Sequence, residues 1–153
     1  MELKAVFVCE DIDRYYLERA CDCLTRSGLH PAKDPVRLLS EDDEFEETDN
    51  LRSKSIWDWF VSERGRLLFL FFEGGPAKLC LTIDLNFRVI SLSCDLDALL
   101  DHQPLDNISK LWNLAKYLER ALGAKCFSIG CELDKEDVVN GLSLSAIGRY
   151  EPP

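Results

Sequence analysis

Apolar residues along this chain recur in two periods, and the switch between them marks out its elements. Residues 2–9 alternate weakly and are rich in Val and Phe, the pattern of a first strand. Over about 12–27 the apolar positions Ile12, Tyr15, Tyr16, Ala20, Cys23 and Leu24 follow helical spacing. Asp11 is placed to cap that helix and Gly28 to stop it. A second helix is expected from Ser55 to about Arg64. Ser55-Ile56-Trp57-Asp58 fits a capping box, and Ile56, Trp57, Phe60 and Val61 form its apolar face. Three strands follow closely, over 66–73, 78–84 and 87–94. Gly74-Gly75-Pro76 turns the chain between the first two, and Leu85-Asn86 leaves room only for a hairpin. The strongest helix begins at Asp106 and ends before Gly123. Its stripe is Ile108, Leu111, Trp112, Ala115, Leu118 and Leu122, with Lys110, Lys116, Glu119 and Arg120 on the other side. A strand over 125–133, a short helix over 134–140 and a last strand over 142–150 complete the chain.

Two strands of the central meander differ in kind. Leu79, Leu81 and Ile83 alternate with Cys80, Thr82 and Asp84, which suits a sheet covered mainly on one side. Leu67-Leu68-Phe69-Leu70-Phe71-Phe72 is apolar on both faces, so it is either covered twice or keeps one face for a partner. The order of elements, with no internal repeat and no second core, predicts a single α+β domain over 1–153. Its sheet is expected to be mixed and mainly antiparallel, of five or six strands, with an antiparallel meander at about 66–94 and helices packed on it.

The stretch from about 34 to 53 breaks both periods. Glu41, Asp42, Asp43, Glu44, Glu46, Glu47 and Asp49 place seven acids together with no base among them, against a net charge of -10 for all 153 residues. Like charges at this density repel, so an acidic mobile loop is expected at about 34–53. The acidity disfavours nucleic acid and anionic membrane as partners and suits a basic protein partner. Phe45, embedded among the acids, is a candidate contact anchor that the acids would steer. Trp59, beside Asp58 and off the face shared by Trp57 and Phe60, is a second candidate for exposure and contact. Hydrophobic residues at 46% rule out global disorder.

No phosphate loop, dinucleotide fingerprint, zinc-protease motif or nucleophile elbow is present, and His30 and His102 are the only histidines. Asp95-Leu96-Asp97, with Asp101 nearby, is the one set that suits a divalent cation. The competing reading is that Asp95 or Asp97 caps the turn Ala98-Leu99-Leu100. Cys94, His102 and Asp101 form a thiol constellation only if the thiol is exposed beside a cation. The seven cysteines are odd in number and irregular in spacing. They suit small buried hydrophobes in a reducing compartment, not a disulfide framework or a zinc site. No cofactor is expected. The longest apolar run falls far short of the roughly 20 residues that span a bilayer. Residues 1–10 lack the pattern of a signal peptide, so a cytoplasmic location is expected.

A small, acidic chain without a catalytic kit has the profile of immunity proteins, antitoxins and nuclease inhibitors, and is expected to be no enzyme. Its sharpest reading is a binding module that neutralises a basic toxin or nuclease. The helix, three-strand meander, helix and strand over about 55–133 resemble the general order of secretion-type chaperones, which implies an alternative role beside an effector protein. A third reading is a small metal-dependent hydrolase built on Asp95, Asp97 and Asp101. Acids converging on a pocket favour the hydrolase, and acids pointing outward favour the binder.

Overall fold

A computed structural model describes residues 1–49, 53–131, 133, 136, 139 and 146–150. The elements run β1 (Glu2–Val8), α1 (Arg14–Arg26), β2 (His30–Pro31), β3 (Val36–Ser40), β4 (Phe45–Thr48), α2 (Ser53–Ser62), β5 (Gly65–Glu73), β6 (Leu79–Asp84), β7 (Val89–Asp95), α3 (Leu96–Leu100), α4 (Pro104–Leu122), β8 (Cys126–Cys131) and β9 (Ala146–Tyr150). One sheet carries eight strands in the order β4-β3-β5-β6-β7-β1-β8-β9, and the short β2 pairs with β5. Every pairing among the described residues is antiparallel. The α+β class and the meander over 66–94 are as expected. The sheet is larger than the five or six strands expected, because β3 and β4 lie where the acidic segment hides them.

Register assigns each side chain to a face, since neighbours across the ladder point the same way. Leu38, Leu68, Ile83, Ile90, Phe7 and Phe127 lie in one row of partners, and all are buried. That face meets Leu17, Ala20, Cys23 and Leu24 of α1, Ile56 and Phe60 of α2, and Leu111, Ala115, Leu118 and Leu122 of α4 in one core. Phe7 stacks on Phe127 at 5.4 Å, and Trp112 of α4 tilts over Phe127 at 5.8 Å. All three long helices therefore cover the same side of the sheet.

Several boundaries move for local reasons. Asp13, not Asp11, caps α1, its Oδ1 accepting from Tyr15 N at 2.9 Å and Tyr16 N at 3.4 Å. The buried stripe of α1 accordingly includes Leu17, while Tyr15 is exposed. Helix α2 is already under way at Ser53, so Ser55 is an interior residue and not the expected cap. Helix α4 starts at Pro104, two residues before Asp106, because proline presets the first-turn φ and needs no N–H partner there. Glu119, expected toward solvent, is buried. Gly65 lets β5 pass directly beneath the Phe60 ring, in space that a Cβ would occupy. The expected short helix over 134–140 and the first part of the last strand, 142–145, lie largely outside the described residues.

The acidic segment is the main correction. Residues 36–48 form a hairpin, with β3 paired to β5 on one side and to β4 on the other. Within the expected loop over 34–53, Val36–Ser40 and Phe45–Thr48 are therefore strands, joined by a tight turn. The acids are held there by arginines from the α2–β5 corner, distant in sequence. Arg64 contacts Glu41 at 2.9 Å and Asp42 at 3.5 Å, and Arg66 contacts Asp43 at 2.6 Å. Ser40 Oγ accepts from Asp42 N and Glu44 N inside the turn, and Glu41 N donates to Arg64 O.

Candidate functional site

The sheet face opposite the helices divides into two halves. Over β7, β1 and β8 it carries Val6, Val89 and buried serines, and Leu133 packs against Val6 and Val89. Over β3, β5 and β6 the register brings Leu39, Leu67, Phe69, Phe71 and Cys80 into one patch. Each of these is only half-buried, and Phe45 of β4, paired to Leu39, extends the patch at 71% exposure. A shallow depression of about 380 Å³ continues the surface beside Phe71, Lys78, Cys80 and Ser93.

Charge is arranged along its β4 edge. Glu47 pairs with Arg37 at 2.8 Å, and Glu41, Asp42 and Asp43 are engaged by Arg64 and Arg66. The Arg64 guanidinium, hydrogen-bonded by Glu41, is held above its ordinary pKa. Glu44, Glu46 and Asp49 make no ion pair among the described residues. At the other side of the patch Asp34 and Lys78 meet at 2.6 Å, and the ammonium group keeps the Asp34 carboxyl below the usual carboxylate range.

The expected contact residues are thus only partly brought together. Glu41, Asp42, Asp43, Glu44, Phe45, Glu46, Glu47 and Asp49 share the hairpin and its flank. Trp59 does not join them: it is half-buried on α2 and packs against the core on the helical side. Leu39, Leu67, Phe69, Phe71 and Cys80 are brought together by the register, which no local pattern of the sequence singles out residue by residue. Their signal was the double-sided apolarity of Leu67–Phe72, which leaves one face without a helix to meet.

The other candidate chemistry falls apart geometrically. Asp95, Asp97 and Asp101 are all exposed. Asp95 Oδ1 accepts from Asp97 N at 3.1 Å, the capping role for α3. Among the described residues no group of three or more His, Cys, Asp or Glu is arranged to hold a metal ion. Cys94 is buried, and burial pushes its thiol up to about 11, away from the thiolate that a nucleophile needs. All seven cysteines are free. A cleft of about 520 Å³ on the helical side is lined mainly by apolar side chains, including Leu29, Leu79, Leu99, Leu111, Leu114 and Tyr117. Its one lysine, Lys110, is paired with Asp106 at 3.1 Å. No helix among the described residues is long and apolar enough to cross a membrane.

Fold and surface together define an α+β protein with a one-sided helical layer and a partly uncovered sheet. No protein-family model matches the chain, and no curated protein matches it. Among solved structures it is similar to the Pseudomonas aeruginosa T6SS protein PA0821, at 12% identity and a TM-score of 0.43. That likeness covers 84% of this chain and 39% of the other, so the chain spans well under half the length of the structure it matches. A likeness of this size carries no functional argument.

Proposed function

We propose that this protein is a binding module for a basic protein partner, acting as an immunity or antitoxin-type inhibitor of a toxin or nuclease. The observation that carries the reading is the apolar patch of Leu39, Leu67, Phe69 and Phe71, extended by exposed Phe45 on an edge strand whose Glu44 and Glu46 project from the other side of the sheet and make no ion pair among the described residues. An apolar centre with a charged rim is the anatomy of a specific protein interface. The acids of the hairpin accelerate encounter with a cationic surface, and Phe45 supplies an aromatic anchor once it is desolvated. A cytoplasmic site of action belongs to the same proposal.

The test is affinity capture from native extract with wild type and with a Phe45→Ser/Phe69→Ser/Phe71→Ser variant, followed by expression of the captured basic protein. The reading expects the variant to lose the partner, the partner alone to arrest growth, and co-expression of the wild-type chain to restore it. A partner held equally by the variant, or one whose action the chain leaves untouched, overturns the reading.

A further inference from the structure

Among the described residues β4 pairs with β3 alone, so its outer side is an open sheet edge. Such an edge is a template for one more strand. Ser40 N donates to Glu44 O at 2.9 Å, and ladder bonds alternate along an antiparallel pair. The pairs Leu38–Glu46 and Val36–Thr48 therefore carry the bonds to β3, while Phe45 and Glu47 turn their N–H and C=O groups outward. These same two residues place their side chains on the open face, and Glu46 projects to the other side.

Resting on the docking reading above, we infer that β4 receives an extended segment of the partner as an added strand, with alternating apolar and basic side chains. The apolar set continues the patch of Phe45, Leu39, Leu67 and Phe69. The basic set meets Glu44 and Glu46, which have no ion-pair partner among the described residues. A second copy of this chain is the wrong occupant. Two β4 strands side by side would bring their carboxylates together, and like charges across a ladder are destabilising. Main-chain bonds at Phe45 and Glu47 supply affinity in this mode, and the alternating side chains supply specificity.

The test uses a fluorescent acetyl-(Lys-Val)4-amide peptide on the intact wild-type chain, with two derivatives: one N-methylated at every Val, the other at every Lys. Strand addition requires one alternate set of amides and ignores the other. The expected result is a loss of roughly tenfold or more in affinity for one methylated peptide, with the other unchanged. On the protein side, Glu47→Pro removes an outward N–H without touching the β3 ladder, and Glu47→Ala keeps that N–H while losing the same carboxylate. Weaker binding by Glu47→Pro than by Glu47→Ala, with both variants folded by their amide spectra, supports the inference. No binding of the unmodified peptide, or equal loss with both methylated peptides, overturns strand addition. A dimer of the chain that Glu47→Pro dissociates also overturns it, by giving the edge to a second copy. If the methylated peptides behave alike while Glu44→Gln/Glu46→Gln still weakens binding of the unmodified peptide, strand addition fails and the docking reading stands.

Discussion

Leu70 and Phe71 are neighbours on β5 whose side chains leave opposite faces of the sheet, and truncating each to Ala measures how differently those faces are packed. Leu70 lies under the helical layer at 5% exposure, among Leu68, Phe72, Leu79 and Leu81. Removing a buried leucine side chain costs about 2–5 kcal/mol, as lost transfer energy plus an unfilled cavity. Phe71 lies partly buried on the face opposite α1, α2 and α4. Full burial of a Phe side chain contributes about 1.5–3 kcal/mol, so the greater part of that, roughly 1–2 kcal/mol, is at stake in Phe71→Ala. For a chain of this size each 1 kcal/mol moves Tm by roughly 2–4 °C. Leu70→Ala should therefore lower Tm by about 5–15 °C, and Phe71→Ala by about 2–8 °C. Urea unfolding followed by the fluorescence of Trp57, Trp59 and Trp112 reads both variants on one scale. A Phe71→Ala cost equal to that of Leu70→Ala would refute the reasoning, because the second face would then be packed as tightly as the first.

Other consequences follow from single contacts. Gly65→Ala drives a Cβ into the Phe60 ring and should cost about 1–3 kcal/mol in the same urea assay. Asp84→Ala removes the acceptor for Asn86 N and Phe87 N in the β6–β7 turn and should cost about 1–3 kcal/mol in the same urea assay. Arg64→Ala/Arg66→Ala frees Glu41, Asp42 and Asp43, so amide hydrogen exchange over 41–48 should quicken while the core amides of β6 and β7 hold. Burial pushes the Cys9 thiol up to about 12 and those of Cys23 and Cys94 to about 11, above the ordinary 9.0. The folded state thus keeps protons that the unfolded chain gives up. Stability is then full below pH 9 and falls as pH rises toward 11, by up to about 1.4 kcal/mol per pH unit for each thiol. Urea midpoints at pH 8 and pH 10.5 check this, and a flat profile would contradict it.

Elements with strong periodicity were legible in the sequence because one local pattern sufficed. The meander over 66–94 and the stripe of α4 needed only alternation and helical spacing. The acidic hairpin was not legible for the opposite reason. Glu41 to Asp49 repel one another locally, and what offsets this is the β3 ladder together with Arg64 and Arg66 at the turn acids and Arg37 at Glu47, the first two some twenty residues away. Contacts of that range leave no periodic trace. The open face lay between these cases. Leu67, Phe69 and Phe71 announced a second apolar face, but only the packing shows that α1, α2 and α4 lie on the other side. Trp59 was read from its flanking acid as exposed, and on α2 it is half-buried against the core.

The most direct measurement of the central claim is a cross-saturation NMR experiment on the complex with the captured basic partner. Saturating the partner should attenuate the side-chain signals of Phe45, Leu39, Leu67, Phe69 and Phe71, and leave Leu114 and Tyr117 beside the helical cleft at full intensity. Attenuation confined to Leu114, Tyr117 and their neighbours would place the partner on the helices and contradict the account.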